Sequence, residues 1–121
     1  MIQVINLQFR YPNSDTMTLK NLNFDIQEGE IFGFLGPSGA GKSTAQKILY
    51  KILKNYSGEV VIDGKNLTAW DKSYFQKIGV GFELPNHYAK LTGKENLELF
   101  ASFYPNGKKR NVDKLFEMVD L

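Results

Sequence analysis

At 121 residues the chain has the size of one ordinary domain, and its 42% hydrophobic and 23% charged residues exclude intrinsic disorder. Fifteen Lys and Arg against 13 Asp and Glu leave a formal charge of +2, too balanced to mark a nucleic-acid partner. The lack of cysteine removes disulfides, thiolate metal sites and cysteine nucleophiles, and no apolar run approaches the roughly 20 residues of a membrane helix, so a cytoplasmic chain without a span or export signal is expected.

Residues 2–11 alternate apolar and polar in two stretches, Ile2 and Val4, then Leu7, Phe9 and Tyr11, whose phase slips near Asn6. This pattern predicts a half-buried strand with a bulge. After a loop at Pro12, Asn13, Ser14 and Asp15, the alternation of Leu22, Phe24 and Ile26 predicts a second strand, antiparallel to the first, that ends at Glu28 and Gly29. Residues 31–35 are apolar apart from Gly33 and run straight into glycines, which predicts a short strand buried on both faces. Ala45, Ile48, Leu49, Ile52 and Leu53 recur at spacings of three and four and predict a helix over 42–54.

Residues 59–63 read as a strand closed by Asp63 and Gly64, a dipeptide suited to a tight hairpin turn. A short helix is expected over 71–77 and a further apolar strand over 78–82, followed by a loop at Pro85, Asn86, His87 and Tyr88. Thr92 with Glu95 forms a capping box for a helix that Pro105, Asn106 and Gly107 end, and Leu115, Met118 and Val119 share a face of a last helix. His87, Trp70 and the basic triplet Lys108, Lys109 and Arg110 read most simply as an exposed loop residue, a packing residue and a solvated turn.

Gly36, Pro37, Ser38, Gly39, Ala40, Gly41, Lys42, Ser43 and Thr44 match G-x-x-x-x-G-K-[S/T] between the expected strand and the best helix. Glycines there let successive backbone N–H groups converge on an anion, and the helix start adds its partial positive charge. Lys42 suits the β and γ phosphates of a nucleoside triphosphate, the Ser43 hydroxyl a bridging Mg²⁺, and Thr44 an α-phosphate oxygen.

Phe9-Arg10-Tyr11, then residues 19–24 (LKNLNF), Gly29-Glu30 and the phosphate loop resemble, in order and spacing, the opening of the ATP-binding cassette (ABC) family, the nucleotide-binding subunits of ABC transporters. The resemblance covers the whole chain; residues 58–64 (GEVVIDG) and 78–97 are similar to the segments that follow the first helix and surround the Q-loop. It implies an α/β, P-loop NTPase fold, of which residues 1–121 are an N-terminal, partial nucleotide-binding domain with an antiparallel β part and a P-loop strand-helix core. It implies ATP and Mg²⁺ as ligands, and Tyr11 as the aromatic that stacks on adenine; packing of Tyr11 on the sheet is the alternative. Glu83 stands where the family usually has a glutamine at the catalytic Mg²⁺, so Lys42 and Glu83 are the catalytic candidates and Ser43 and Glu83 the metal candidates.

The Val60-Val61-Ile62-Asp63 run is followed by Gly64 and reads as a hairpin rather than a Walker B strand, and Ser57-Gly58-Glu59 is not the family's signature. Signature, Walker B and switch histidine are all missing from these residues. The expectation is therefore ATP binding without appreciable hydrolysis by this chain alone, within a transporter subunit of exporter type held at the inner membrane face by a permease subunit and paired with a second ATP-binding subunit. A soluble ABC-type ATPase of translation or DNA maintenance, and a non-catalytic interaction fragment, remain the alternatives.

Overall fold

The computed structural model describes residues 1–104 and 111–120. The helix stop at Pro105, Asn106 and Gly107, the basic turn at Lys108, Lys109 and Arg110, and Leu121 lie outside the described residues. The chain forms two compact units, Met1–Asp71 and Lys72–Leu121.

In the first unit, β1 (Ile2–Phe9), β2 (Leu19–Ile26), β3 (Ser57–Ile62) and β4 (Lys65–Asn66) form an antiparallel sheet of order β2-β1-β3-β4. β1 is an inner strand, pairing Val4 with both Phe24 and Val60. The phase slip near Asn6 is a bulge: the register shifts between Val4 and Leu7, and Asn6 takes φ 50°, a left-handed conformation that asparagine tolerates. Its N–H donates to Asn23 Oδ1 at 2.7 Å. Because the slip moves Leu7 and Phe9 onto the same face as Val4, all three are buried, together with Leu19, Val60 and Ile62. Asp63 and Gly64, at φ 50° and 75°, make the expected two-residue hairpin turn, and Asp63 also pairs with the Met1 amine at 2.9 Å.

Gly58 faces the bulge. A Cβ there would lie 2.4 Å from the Asn6 carbonyl oxygen and 2.6 Å from that of Ile5, and its φ is +93°. Only glycine satisfies both the space and the dihedral.

α1 (Lys42–Leu49) is shorter than the predicted 42–54. Lys51 adopts φ 60°, its N–H donates to the Ile48 carbonyl, and the Ile52 N–H reaches back to Lys47 at 2.9 Å. These bonds form a Schellman closure, with lysine where glycine is usual. The Lys51 ammonium is tied to the Trp70 carbonyl. Trp70 packs as expected, donating from its indole to the Ile62 carbonyl at 3.2 Å with Lys65 over its ring.

Residues 31–35 carry no ladder, contrary to the buried strand their pattern predicts: Ile31 is 100% and Leu35 96% exposed. An apolar run becomes a strand only when neighbouring backbone completes its hydrogen bonds, and the sheet of the first unit gives these residues no partner. Phe32 and Phe34 instead cluster with Phe24, with ring centroids 5.1 to 5.3 Å apart. The strand expected over 78–82 is likewise absent, with Phe82 exposed; Gly79 and Gly81 add no side chains to pack.

In the second unit a 3-10 turn at Lys72–Gln76 takes the place of the expected short helix. α2 (Gly93–Ser102) starts at the complete capping box of Thr92 and Glu95, whose hydrogen bonds from Thr92 hold the Glu95 carboxyl below its ordinary pKa. α3 (Val112–Glu117) is capped by Asn111; it lies against α2, with Phe116 beside Gly93 and Lys94 paired to Asp113 at 2.8 Å.

Gly58→Ala is expected to lower unfolding stability by about 3 kcal/mol, from steric overlap and strain at positive φ, as measured by urea denaturation. The exposed residues 31–35 are expected to drive concentration-dependent self-association in light scattering, and Ile31→Lys with Leu35→Lys to reduce it.

Candidate functional site

The phosphate-loop residues precede α1 as the sequence predicts, but the stretch before them is the aromatic cluster of Phe24, Phe32 and Phe34 and not the expected strand. Ala40 N–H closes a turn onto the Pro37 carbonyl at 3.2 Å, and the chain then reverses at Gly41, with φ 89° and ψ 4°. A Cβ at Gly41 would come within 2.6 Å of Leu19 Cδ2 and 2.9 Å of the Thr18 carbonyl oxygen. Gly41 is thus fixed twice, by its left-handed dihedral and by the edge of β2 beneath it. The reversal places Lys42 at the first helical position, and the Ala45 N–H takes the Gly41 carbonyl at 2.9 Å. The amides of Lys42, Ser43 and Thr44 precede that bond and have no acceptor one turn back within the helix.

The buried side of α1 consists of Thr44, Ala45 and Ile48. Their burial turns Ser43 outward, and Ser43 is exposed. Lys42 folds back over the loop: its ammonium donates to the carbonyl oxygens of Gly36 at 2.6 Å and Pro37 at 2.7 Å. A cleft of about 330 Å³ borders the loop, lined by Leu19, Lys20, Phe34, Leu35, Gly41 and Lys42 among others. Lys20 and Lys42 both line the cleft, and among the described residues no acidic side chain in its lining opposes them.

Tyr11 stands just past the end of β1, half-buried, its ring edge-on to Phe9 with centroids 4.9 Å apart. Its hydroxyl lies 3.2 Å from Thr44 Oγ1. The structure thus brings together Tyr11, Thr44, Lys42, Ser43 and the glycines. Glu83 belongs to the second unit, exposed in the irregular stretch before Pro85, and His87 is exposed in the same stretch. Two features escaped the sequence reading: the floor that Thr18 and Leu19 form under Gly41, and the bond from Tyr11 to Thr44. Both join residues far apart in the chain, and neither carries a local signal.

This arrangement fits an anionic phosphate chain. Glycine leaves the backbone approachable, three first-turn amides lack helical acceptors, and the Lys42 ammonium already holds two oxygens that phosphate oxygens could replace. Among the described residues no three His, Asp or Glu side chains converge on a metal position. A Mg²⁺ at Ser43 would draw its remaining ligands from phosphate oxygens and water, as Mg²⁺ in phosphate sites commonly does. Among the described residues no helix is long and apolar enough to cross a membrane.

The chain is similar to known proteins of one family. Residues 19–121 match the family model described as ABC transporter. The chain is 50% identical over 104 residues to a fluoroquinolones export ATP-binding protein of Mycobacterium tuberculosis, covering 86% of this chain and 35% of that protein. It is 38% identical over 104 residues to the bacitracin transport ATP-binding protein of Bacillus licheniformis, covering 86% and 34%. Among solved structures it resembles a dimeric ATP-binding cassette in a post-hydrolysis state with ADP and Pi, with a TM-score of 0.78, 31% identity, and coverage of 100% of this chain and 58% of that one. The chain spans about a third of the length of these two curated relatives.

Gly41→Ala is expected to displace the loop from β2 and to abolish binding of Mg–ATP in calorimetry, while circular dichroism still reports the sheet.

Proposed function

The chain belongs to the ABC transporter family, and from that premise we propose that residues 1–121 are part of a nucleotide-binding domain that grips ATP and Mg²⁺ for an ABC transporter. The observation that carries this reading is the reversal at Gly41, which sets a helix start, a row of amides and the Lys42 ammonium at one point. Tyr11, Gly36, Pro37, Ser38, Gly39, Ala40, Gly41, Lys42, Ser43 and Thr44 form the proposed nucleotide site. Lys42 leaves the loop carbonyls for the β and γ phosphate oxygens, Ser43 contributes its hydroxyl to Mg²⁺, Thr44 donates to an α-phosphate oxygen, and the Tyr11 ring supports the adenine. Mg²⁺, when bound, neutralises phosphate charge. Glu83 is proposed as a further metal contact, in place of the amide usual in the family.

The exporter assignment draws on the relatives named for fluoroquinolone export and bacitracin transport. The partners proposed with it are a membrane-spanning permease subunit, which would hold the protein at the inner face of the membrane, and a second ATP-binding subunit. A dimeric cassette among the structural neighbours supports the latter. The 121 residues contain neither a serine-glycine-glycine signature nor an apolar strand ending in Asp-Glu, so this chain by itself is proposed to bind ATP without turning it over.

Calorimetry tests the grip. Lys42→Ala is expected to weaken Mg–ATP on the order of 10- to 100-fold, the value of lost charge-assisted hydrogen bonds, and to leave AMP nearly unchanged; equal losses for both ligands would refute the role of Lys42. Phosphate release by the purified chain is expected to stay at background, and steady release that Lys42→Ala abolishes would overturn the claim of binding without turnover.

A further inference from the structure

The hydrogen bond between Tyr11 and Thr44 spans 33 positions of sequence and joins the end of β1 to the first turn of α1. A ring that merely stacks on a base needs no hydroxyl, and a tyrosine that merely packs on a sheet needs no partner in a helix. We infer that Tyr11 is a positioning residue for the phosphate loop: its hydroxyl sets the Thr44 hydroxyl in the orientation from which Thr44 donates to a phosphate oxygen. The inference rests on the nucleotide reading proposed above and adds a role on the phosphate side to a residue otherwise assigned to the base.

Threonine in a helix divides between two side-chain rotamers, because its Oγ1 can turn back to a carbonyl one turn earlier. Thr44 is only 6% exposed, so solvent does little to choose between them. The Tyr11 hydroxyl, 3.2 Å away, supplies the choice. Tyr11 is itself held: its ring meets Phe9 edge-on, and Phe9 is buried in the core and paired with Leu19 of β2. Leu19 is also the side chain under Gly41. One short chain of contacts therefore sets both the backbone reversal of the loop and the direction of its threonine.

A hydroxyl has one proton and two lone pairs. When the Tyr11 O–H donates to Thr44 Oγ1, the Thr44 proton stays available for an anion, and each bond polarises the next. The ring face and the hydroxyl of Tyr11 then serve different parts of a nucleotide, and a ligand that has phosphates but no base separates the two roles.

The test is calorimetric titration of Mg–tripolyphosphate and Mg–ATP into the 121-residue chain and its Tyr11→Phe, Thr44→Val, double and Lys42→Ala variants. Tyr11→Phe is expected to weaken both ligands by a similar factor, roughly 3- to 10-fold, the value of one hydrogen bond. Thr44→Val reads the same bond from its other end: it is expected to weaken binding at least as much, and the double variant no further than Thr44→Val alone. Wild-type affinity of Tyr11→Phe for tripolyphosphate, or losses that multiply in the double variant, would overturn the inference. If Lys42→Ala also leaves tripolyphosphate unchanged, the phosphate-loop reading falls with it; a loss in Lys42→Ala beside a silent Tyr11→Phe removes only the role of Tyr11.

Discussion

The geometry of the phosphate loop depends on the reversal at Gly41. A left-handed residue pressed onto Leu19 and the Thr18 carbonyl has no room to tilt, so α1 starts in one place and one direction. From that start follow the burial of Thr44, Ala45 and Ile48 on one side and the exposure of Ser43 on the other. Moving the reversal by one residue would rotate the helix by about 100°, bury the serine and expose the alanine. Apolar packing below and the proposed phosphate chemistry above thus require the same backbone.

Lys42 adds the electrostatic half. A cation without an anion nearby needs acceptors, and the loop supplies two carbonyl oxygens. The ammonium is consequently already held over the loop proposed to receive a triphosphate, and little side-chain entropy remains to be lost on binding. Binding exchanges neutral acceptors for charged ones, and charge-assisted bonds are the stronger kind. In the proposed complex the same exchange would favour triphosphate over monophosphate, since only the longer chain would place charge in reach of Lys42.

Much of this was legible in the sequence where the signal is local. The slip at Asn6 showed as a break in alternation, the hairpin at Asp63 and Gly64 as a turn dipeptide, the start of α2 as Thr92 and Glu95, and the phosphate loop as residue types that few other structures require. The end of α1 was not legible, because Lys51 in the left-handed region stands where a glycine would have announced the stop, and Ile52 continues the apolar period while lying 58% exposed. Residues 31–35 misled for a different reason. Their pattern reports a preference for burial, which is a property of side chains, whereas a strand is a property of two backbones. At the site, the bond from Tyr11 to Thr44 and the floor under Gly41 depend on how β1, β2 and α1 meet, and no spacing rule expresses that.

The central claim is that the loop from Gly36 to Thr44 is where this chain receives the phosphates of a nucleotide. Amide chemical shifts of the ¹⁵N-labelled chain, followed while Mg–ATP is added, test it most directly. The largest changes are expected on Gly39, Gly41, Lys42, Ser43 and Thr44, with smaller ones at Tyr11. Saturable changes confined to other residues, or none at millimolar nucleotide, would contradict it.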